Sequence, residues 1–146
     1  MTFSKACNYG VRAALYVATR NQQEFVSIKE ISEKLNISFH FLTKILQTLT
    51  QNGIMTSFRG PKGGVALARL AIEISLLDVV QAIDGESLFT ECVLGLNNCG
   101  DDQPCPLHNQ WTGIRQNIHD LFESTSLHQV ALDVTQNGFR LTNLML

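Results

Sequence analysis

The stretch SIKEISEKLNISFHFLTKILQTLTQNGIMTSFRGPKGGVALA, residues 27–68, decides the fold. Ser27 followed by Glu30 is the pattern of a helix capping box, and it predicts a short helix that ends near Asn36. Ser38 is expected to cap the next helix, which closes at the Asn-Gly pair of residues 52–53. The apolar residues of this helix share one face at the spacing i, i+3, i+4, i+7, and they are Leu42, Ile45, Leu46 and Leu49. A short helix, a tight turn and an amphipathic helix indicate a helix-turn-helix.

The rest of this stretch predicts a β-hairpin. Residues 54–58 are expected to form one strand and residues 65–68 the return strand. The tip between them, RGPKGG at 59–64, is rich in glycine, as tight turns are. A helix-turn-helix followed by such a hairpin is a winged helix-turn-helix. The predicted fold is therefore mainly α with a small β-hairpin.

Further helices are predicted on both sides of this unit. Residues 4–19 form a first helix capped by Ser4, and Ser75 caps a fourth helix that Gly85 ends. Pro106 suits the first turn of a long helix, because the amide that it lacks would have no partner there. Ser126 is expected to cap a short last helix over residues 127–134.

The long helix carries a heptad pattern, which is typical of helices that pair at a shallow angle. Its apolar positions are separated by 4, 3, 4 and 3 residues, and they are Leu107, Trp111, Ile114, Ile118 and Leu121. We therefore divide the chain into a DNA-binding domain (1–84), a cysteine-rich loop (85–105), a dimerisation helix with a short C-terminal helix (106–134) and a tail (135–146).

Charge is distributed unevenly along the 146 residues. Residues 1–70 hold nine Lys and Arg against three acids, whereas residues 71–146 hold two Arg against ten acids. A basic front half suggests a polyanion as its partner. The chain has no apolar run long enough to span a membrane and no signal-peptide pattern, so we expect a cytoplasmic protein that does not bind membranes.

A winged helix reads double-stranded DNA with the helix that follows its turn. Opposite the apolar stripe, this helix presents side chains that can reach base edges and phosphates: Ser38, His40, Thr43, Lys44 and Gln47. The wing tip adds Arg59 and Lys62 on a glycine framework. Each feature alone is common in proteins without DNA-binding activity, and it is their combination with the basic charge that favours DNA.

Three of the four cysteines lie in the loop ECVLGLNNCGDDQPCPLH, residues 91–108. The spacing of Cys92, Cys99, Cys105 and His108 lacks the tight pairs of structural zinc sites. A wide loop with three thiols favours an iron–sulfur cluster, with zinc second and metal-free redox-sensing thiols third. Asp101 is interpreted as an ordinary loop residue. The sequence shows no nucleophile with a base at useful spacing, which argues against an enzyme.

Several motifs resemble the Rrf-two family of bacterial winged-helix transcription regulators. They are the wing RGPKGG, the N-terminal SKACNYGVRA, the helix pair IKEISEKLNIS and the C…C…CPLHxxW loop, and the resemblance covers roughly residues 2–134. The chain is most similar to the cluster-binding members that regulate iron–sulfur cluster biogenesis or repress in response to nitric oxide. In some relatives the partner's first helix supplies a fourth ligand, and here that helix offers Cys7 and Asn8.

The resemblance implies a homodimer that binds a palindromic operator with an affinity set by an iron–sulfur cluster. The three loop cysteines correspond to the family's ligands, and the C-x-x-H step to His108 favours a [2Fe–2S] cluster over a [4Fe–4S] cluster. Two alternatives stay open. One is a cluster-free regulator that senses with its thiols, and the other is a zinc- or metal-binding redox protein in which the helix-turn-helix is only a scaffold.

Overall fold

The computed structural model describes residues 3–20 and 24–143. This part is mainly helical with one two-stranded antiparallel sheet, which confirms the predicted fold class. Its helices are α1 Lys5–Ala18, α2 Ile28–Leu35, α3 Phe39–Gln51, α4 Leu76–Asp84, α5 Ser87–Thr90, α6 His108–Ser124 and α7 Leu127–Asn137. Its strands are β1 Met55–Phe58 and β2 Gly64–Leu67, and a 3-10 turn spans Ala71–Glu73. Within the described ranges, no helix is both long and apolar enough to cross a membrane.

Helices α2 and α3 form the predicted helix-turn-helix around the apolar stripe of α3. All four residues of that stripe are buried. At the end of α2, Asn36 adopts the left-handed conformation with φ of 54°, which asparagine tolerates better than most residues. Ser38 occupies the N-cap position of α3, but its side chain makes no capping hydrogen bond.

The capping box predicted for α2 is only half formed. The Ser27 hydroxyl accepts a hydrogen bond from the Glu30 amide at 3.1 Å. The Glu30 carboxylate, however, pairs with Arg20 and accepts a hydrogen bond of 3.0 Å from the Tyr16 hydroxyl. A guanidinium is a stronger donor to a carboxylate than a neutral amide, so the tertiary partner prevails over the local one.

The hairpin is antiparallel, with Met55 opposite Leu67 and Phe58 opposite Gly64. Its return strand is also joined to Val26, because the backbones of Val26 and Val65 exchange two hydrogen bonds of 2.8 Å. Gly64 makes this close approach possible. A Cβ at that position would lie 2.1 Å from the carbonyl oxygen of Val26.

Helix α1 packs tightly against α4 and α3 in the core. Gly10 provides the space, because a Cβ there would lie 2.1 Å from Cδ1 of Ile83. At the end of α4, the Asp84 carboxylate accepts hydrogen bonds from the backbone amide and the hydroxyl of Ser4. Cys7 is fully buried beneath this contact.

The long helix differs from its prediction at the start. Helix α6 begins at His108 with Leu107 at the N-cap, so Pro106 lies before the helix and not in its first turn. The amides of His108 and Trp111 bond to the carbonyls of Cys105 and Leu107, which makes the cysteine loop continuous with the helix. The short helix α5, which the sequence did not predict, precedes the loop.

The C-terminal segment returns to the helix-turn-helix. Ser126 caps α7 as predicted, by accepting a hydrogen bond from the Gln129 amide at 3.1 Å. Beyond α7, Leu141 is buried, and its carbonyl accepts a hydrogen bond from Nε of Arg12. A second guanidinium nitrogen of Arg12 donates to the Leu35 carbonyl at 3.0 Å. Arg12 therefore joins this segment to the end of α2.

Candidate functional site

The predicted reading face of α3 is open to solvent. Ser38, His40, Lys44 and Gln47 are exposed, and Thr43 is half-buried with its hydroxyl donating to the Phe39 carbonyl at 2.8 Å. Because the opposite side of the helix is packed into the core, these side chains point away from the protein body.

Two phenylalanines flank this face differently. Phe39 is exposed at its edge. Phe41 instead packs edge-on against Tyr9 of α1, with ring centroids 5.6 Å apart. The apolar group available beside the polar side chains is therefore Phe39, and Phe41 links α3 to α1.

A cleft of about 740 Å³ separates α3 from the wing. Thr43 and Gln47 line it from the helix, and Phe58 and Arg59 line it from the hairpin. The structure thus brings together three of the residues predicted to contact DNA. The other four lie outside the cleft lining but are exposed, and they are Ser38, His40, Lys44 and Lys62.

The four predicted metal ligands lie in two pairs. Cys99 and His108 form one, with the Cys99 sulfur 3.5 Å from Nδ1 of His108. Cys92 and Cys105 form the other, in which each thiol influences the pKa of its partner. Cys92 and His108 are buried, whereas Cys99 and Cys105 are half-buried. All four cysteines are free thiols.

The two thiols of the Cys92–Cys105 pair differ in acidity. The backbone amides of Leu96 and Leu94 hold the pKa of Cys92 below its ordinary value, because they donate to its sulfur. Burial raises the pKa of Cys105, and the neighbouring Cys92 raises it further. Cys92 therefore ionises before Cys105.

Asp101 contacts His108 directly, so its interpretation as an ordinary loop residue is wrong. Its Oδ1 lies 3.0 Å from Nε2 of His108. An ionised carboxylate only accepts hydrogen bonds, so this contact favours the tautomer of a neutral imidazole that carries its proton on Nε2 and directs the Nδ1 lone pair towards Cys99. A carboxylate behind a histidine is a common way to orient a metal ligand.

Two side chains of α6 converge on the residue before Cys92. Nε1 of Trp111 and a terminal guanidinium nitrogen of Arg115 both donate to the Glu91 carbonyl, at 3.0 and 2.9 Å. The same nitrogen of Arg115 lies 3.4 Å from the Cys99 sulfur. Sequence reasoning missed Arg115. Its spacing of four from Trp111 and its isolation in an acidic half of the chain were the available signals.

Single metal ions are poorly served by this arrangement. Across residues 3–20 and 24–143, no three His, Cys, Asp or Glu side chains are close enough together to hold one ion. Cys7, which the sequence analysis named as a possible fourth ligand, is buried within its own chain. Burial and the nearby Asp84 raise its pKa to about 12.

The predicted dimerisation positions divide into two rows along α6. Leu107, Ile114 and Leu121 are exposed, and they recur every seven residues. Trp111 and Ile118 are half-buried. The helix therefore presents one open apolar row while its other row lies partly against the protein's own surface.

Comparisons with known proteins identify the family of this chain. The family model described as "Rrf2: Iron-dependent Transcriptional regulator" matches residues 3–133. The HTH-type transcriptional regulator IscR of Pectobacterium atrosepticum is 32% identical over 130 residues, which cover 89% of this chain and 79% of that protein.

Solved structures share the fold. The oxidized form of Staphylococcus aureus CymR is 27% identical, with a TM-score of 0.73 over 90% of this chain and 96% of that one. The T. potens IscR structure superimposes with a TM-score of 0.75 over 94% of this chain and 90% of that one, and at 23% identity it supports the fold alone.

Proposed function

We propose a function on the basis that this chain belongs to the Rrf2 family of transcriptional regulators, and is a regulator rather than an enzyme. It acts in the bacterial cytoplasm as a homodimer that binds palindromic operator DNA, and an iron–sulfur cluster controls its affinity. The observation that carries the cluster assignment is the arrangement of four donor residues in two pairs, behind a winged helix with open basic side chains.

The DNA-binding part of the proposal rests on the cleft between α3 and the wing. Thr43 and Gln47 can meet base edges while Arg59 meets the backbone or the minor groove. Lys44, Arg59 and Lys62 are exposed, and none forms an ion pair within the described residues. These cations are therefore available to phosphates, and operator binding should weaken steeply with salt.

The homodimer part of the proposal is supported by the open row of α6. Pairing two copies through Leu107, Ile114 and Leu121 would remove these side chains from water. The two reading helices would then contact half-sites about one turn of DNA, or roughly 34 Å, apart. A symmetric dimer matches a palindromic operator for this reason.

The donor set fits an iron–sulfur cluster better than a single ion. Each of its two pairs can serve one iron, with Cys92 and Cys105 on one side and Cys99 and His108 on the other. This division favours [2Fe–2S], and [4Fe–4S] is the alternative. When bound, the cluster supplies a centre that exchanges single electrons and can be lost. His108 would ligate through Nδ1, because Asp101 holds the proton of Nε2.

The cysteine loop can transmit the state of this site to the two α3 helices of the proposed dimer. The Cys105 carbonyl accepts a hydrogen bond from the His108 amide in the first turn of α6. Trp111 and Arg115 of the same helix both donate hydrogen bonds to the Glu91 carbonyl. A change in the loop therefore acts on the helix that sets the spacing of the dimer. A coupling of about 1–3 kcal/mol would change operator affinity by roughly 5- to 150-fold.

A second candidate is thiol sensing without a cluster. It is favoured by the acidity of Cys92, which lies beside the Cys105 thiol. A peroxide could oxidise the Cys92 thiolate to a sulfenic acid and would itself be reduced to water or an alcohol. Attack by the Cys105 sulfur would then form a disulfide and release the sulfenic oxygen as water. The likeness to the oxidized form of CymR supports this candidate.

Anaerobic purification followed by a gel shift separates the two candidates. For the cluster, we expect brown protein with visible charge-transfer bands and iron and sulfide in equal amounts. Its operator affinity should differ at least fivefold from that of a triple variant that combines Cys92→Ala, Cys99→Ala and Cys105→Ala. Colourless protein whose affinity changes only on peroxide treatment would favour thiol sensing. Equal affinity of all forms, with and without peroxide, would overturn both.

The DNA assignment has its own test. Arg59→Ala and Lys44→Ala should weaken operator binding and reduce its salt dependence without lowering the melting temperature. Arg140→Ala changes the charge equally at an exposed site in the other half of the chain and should leave binding unchanged. If Lys44→Ala in α3 and Arg59→Ala in the wing both bind the operator as tightly as the wild type, this surface does not contact DNA.

A further inference from the structure

Arg115 has an unusual position for a basic residue. It is one of two cations in residues 71–146, and it is half-buried beside the cysteine loop. Within the described ranges it takes part in no ion pair with a carboxylate, although ten acids belong to this half of the chain. Its charge is instead directed at a carbonyl and a sulfur.

One guanidinium nitrogen serves both contacts. It carries two hydrogens, and it lies 2.9 Å from the Glu91 carbonyl and 3.4 Å from the Cys99 sulfur. Glu91 immediately precedes Cys92, so Arg115 contacts the loop at the residue before its first cysteine and at its second cysteine. Trp111, one helical turn earlier, donates to the same carbonyl at 3.0 Å.

A purely structural role accounts for only part of this geometry. Glu91 is the C-cap of α5, and a cation near a helix C-terminus is favourable. Trp111 already satisfies that carbonyl, however, and nothing about the end of a helix requires a contact with Cys99. Hydrogen bonds to ligand sulfurs are among the factors that set the reduction potential of iron–sulfur clusters.

We propose that Arg115 is a positioning residue of the cluster site, which fixes Glu91 and Cys99 from helix α6 and raises the reduction potential through its charged hydrogen bond to the Cys99 sulfur. This inference rests on the proposed function. The direction follows from charge, because one-electron reduction adds a negative charge that a nearby cation stabilises. Arg115 thereby connects the redox state of the site to the helix proposed to form the dimer.

The test compares Arg115→Gln, Arg115→Lys and the charge-matched control Arg140→Gln in anaerobically prepared protein. Redox titration of the visible spectrum should show that Arg115→Gln favours the oxidised form about tenfold, a fall of about 59 mV for a one-electron couple. Arg115→Lys keeps the charge and should recover at least half of this shift. Arg140→Gln should match the wild type.

A second measurement does not need the cluster. In the metal-free protein, hydrogen exchange of the backbone over residues 91–99 should be at least threefold faster in Arg115→Gln than in Arg140→Gln, because the clamp on Glu91 and Cys99 is lost. Should Arg115→Gln fail to retain a cluster, Arg115→Lys decides: restored cluster content supports the role, and equal loss overturns it.

The outcomes separate the two proposals. A wild-type protein that binds no cluster overturns the cluster part of the proposed function, and this inference with it. A wild-type cluster with the same potential and the same exchange in Arg115→Gln and Arg140→Gln overturns the role of Arg115 alone. A lowered potential that lysine does not recover at all would show that charge is not the cause, and would also overturn it.

Discussion

Nε2 of His108 lies 3.0 Å from Oδ1 of Asp101, while Nδ1 of the same ring faces the Cys99 sulfur at 3.5 Å. The imidazole is buried and the carboxylate is almost fully exposed, so a surface residue orients an interior one. These contacts therefore preorganise one of the two donor pairs of the loop.

Asp101→Asn should weaken this preorganisation. The amide keeps the size of the side chain but removes the charge that makes the imidazole a better ligand, and losses of outer-shell partners typically cost about 10- to 100-fold in metal affinity. We expect faster bleaching of the visible bands under a chelator. Asp102→Asn, at the adjacent exposed residue, is the control. Equal bleaching rates in the two variants would show that the contact does not matter.

Gly64→Ala should destabilise the base of the wing. The new Cβ would lie 2.1 Å from the Val26 carbonyl oxygen, at a φ of +155° that alanine rarely adopts. We expect a loss of about 1–3 kcal/mol in the free energy of unfolding, measured with denaturant. Gly113→Ala should instead stabilise the protein by up to about 1 kcal/mol, because that site in α6 has open space. If Gly64→Ala leaves the free energy of unfolding unchanged, the backbones at Gly64 and Val26 do not approach as closely as described.

Leu121→Glu and Ile114→Glu should separate the proposed dimer. Each would place an unpaired charge in the interface, at a cost of about 3 kcal/mol or more. Light scattering after size exclusion should show monomers that keep their helical circular dichroism. Asn109→Glu adds the same charge at an exposed position of α6 outside the heptad row, and it should remain dimeric. A dimer that persists in both leucine and isoleucine variants would place the interface elsewhere.

The metal-free protein should titrate one thiol early. Because the pKa of Cys92 is lowered, its thiolate persists to lower pH than that of Cys105, whose pKa is raised. Its stabilising effect on the fold is present above the pKa of the unfolded chain, and it is lost as pH falls through the lower folded value.

Ultraviolet thiolate absorbance as a function of pH checks this order. Cys92→Ala should remove the step at the lowest pH, and Cys105→Ala should not. Cys7→Ala serves as the control, since burial holds the pKa of Cys7 at about 12 and keeps it out of this range. If Cys92→Ala and Cys105→Ala change the curve of thiolate absorbance against pH in the same way, Cys92 does not ionise before Cys105.

The sequence predicts elements that repeat a local pattern. The stripe of α3 and the glycine-rich tip were sufficient for the winged helix-turn-helix, because periodicity and turn chemistry act over neighbouring residues. Helix α5 was missed because four residues are too few to show a period. The start of α6 was misplaced by two residues, since Cys105 and Leu107 carbonyls decide where its first bonds form.

The contacts that organise the site could not be predicted in the same way. Arg115 is 16 residues from Cys99, and Glu30 turns from its own helix to Arg20. Both choices depend on which groups the fold brings near, and spacing along the chain alone does not determine the partner. Residue types alone indicated which side chains are suited to bind metal, but not which side chains hold them in place.

Arg12 connects the segment after α7 to the helix-turn-helix. Its guanidinium holds the carbonyl of Leu35, where the helix-turn-helix bends, and the carbonyl of Leu141, near the C-terminus. A truncation that removes Leu141 would leave the Arg12 guanidinium with a hydrogen bond to a single carbonyl, that of Leu35, and would expose the base of α1. The segment that contains Leu141 thus supports the turn between α2 and α3, although it lies outside the winged helix-turn-helix itself.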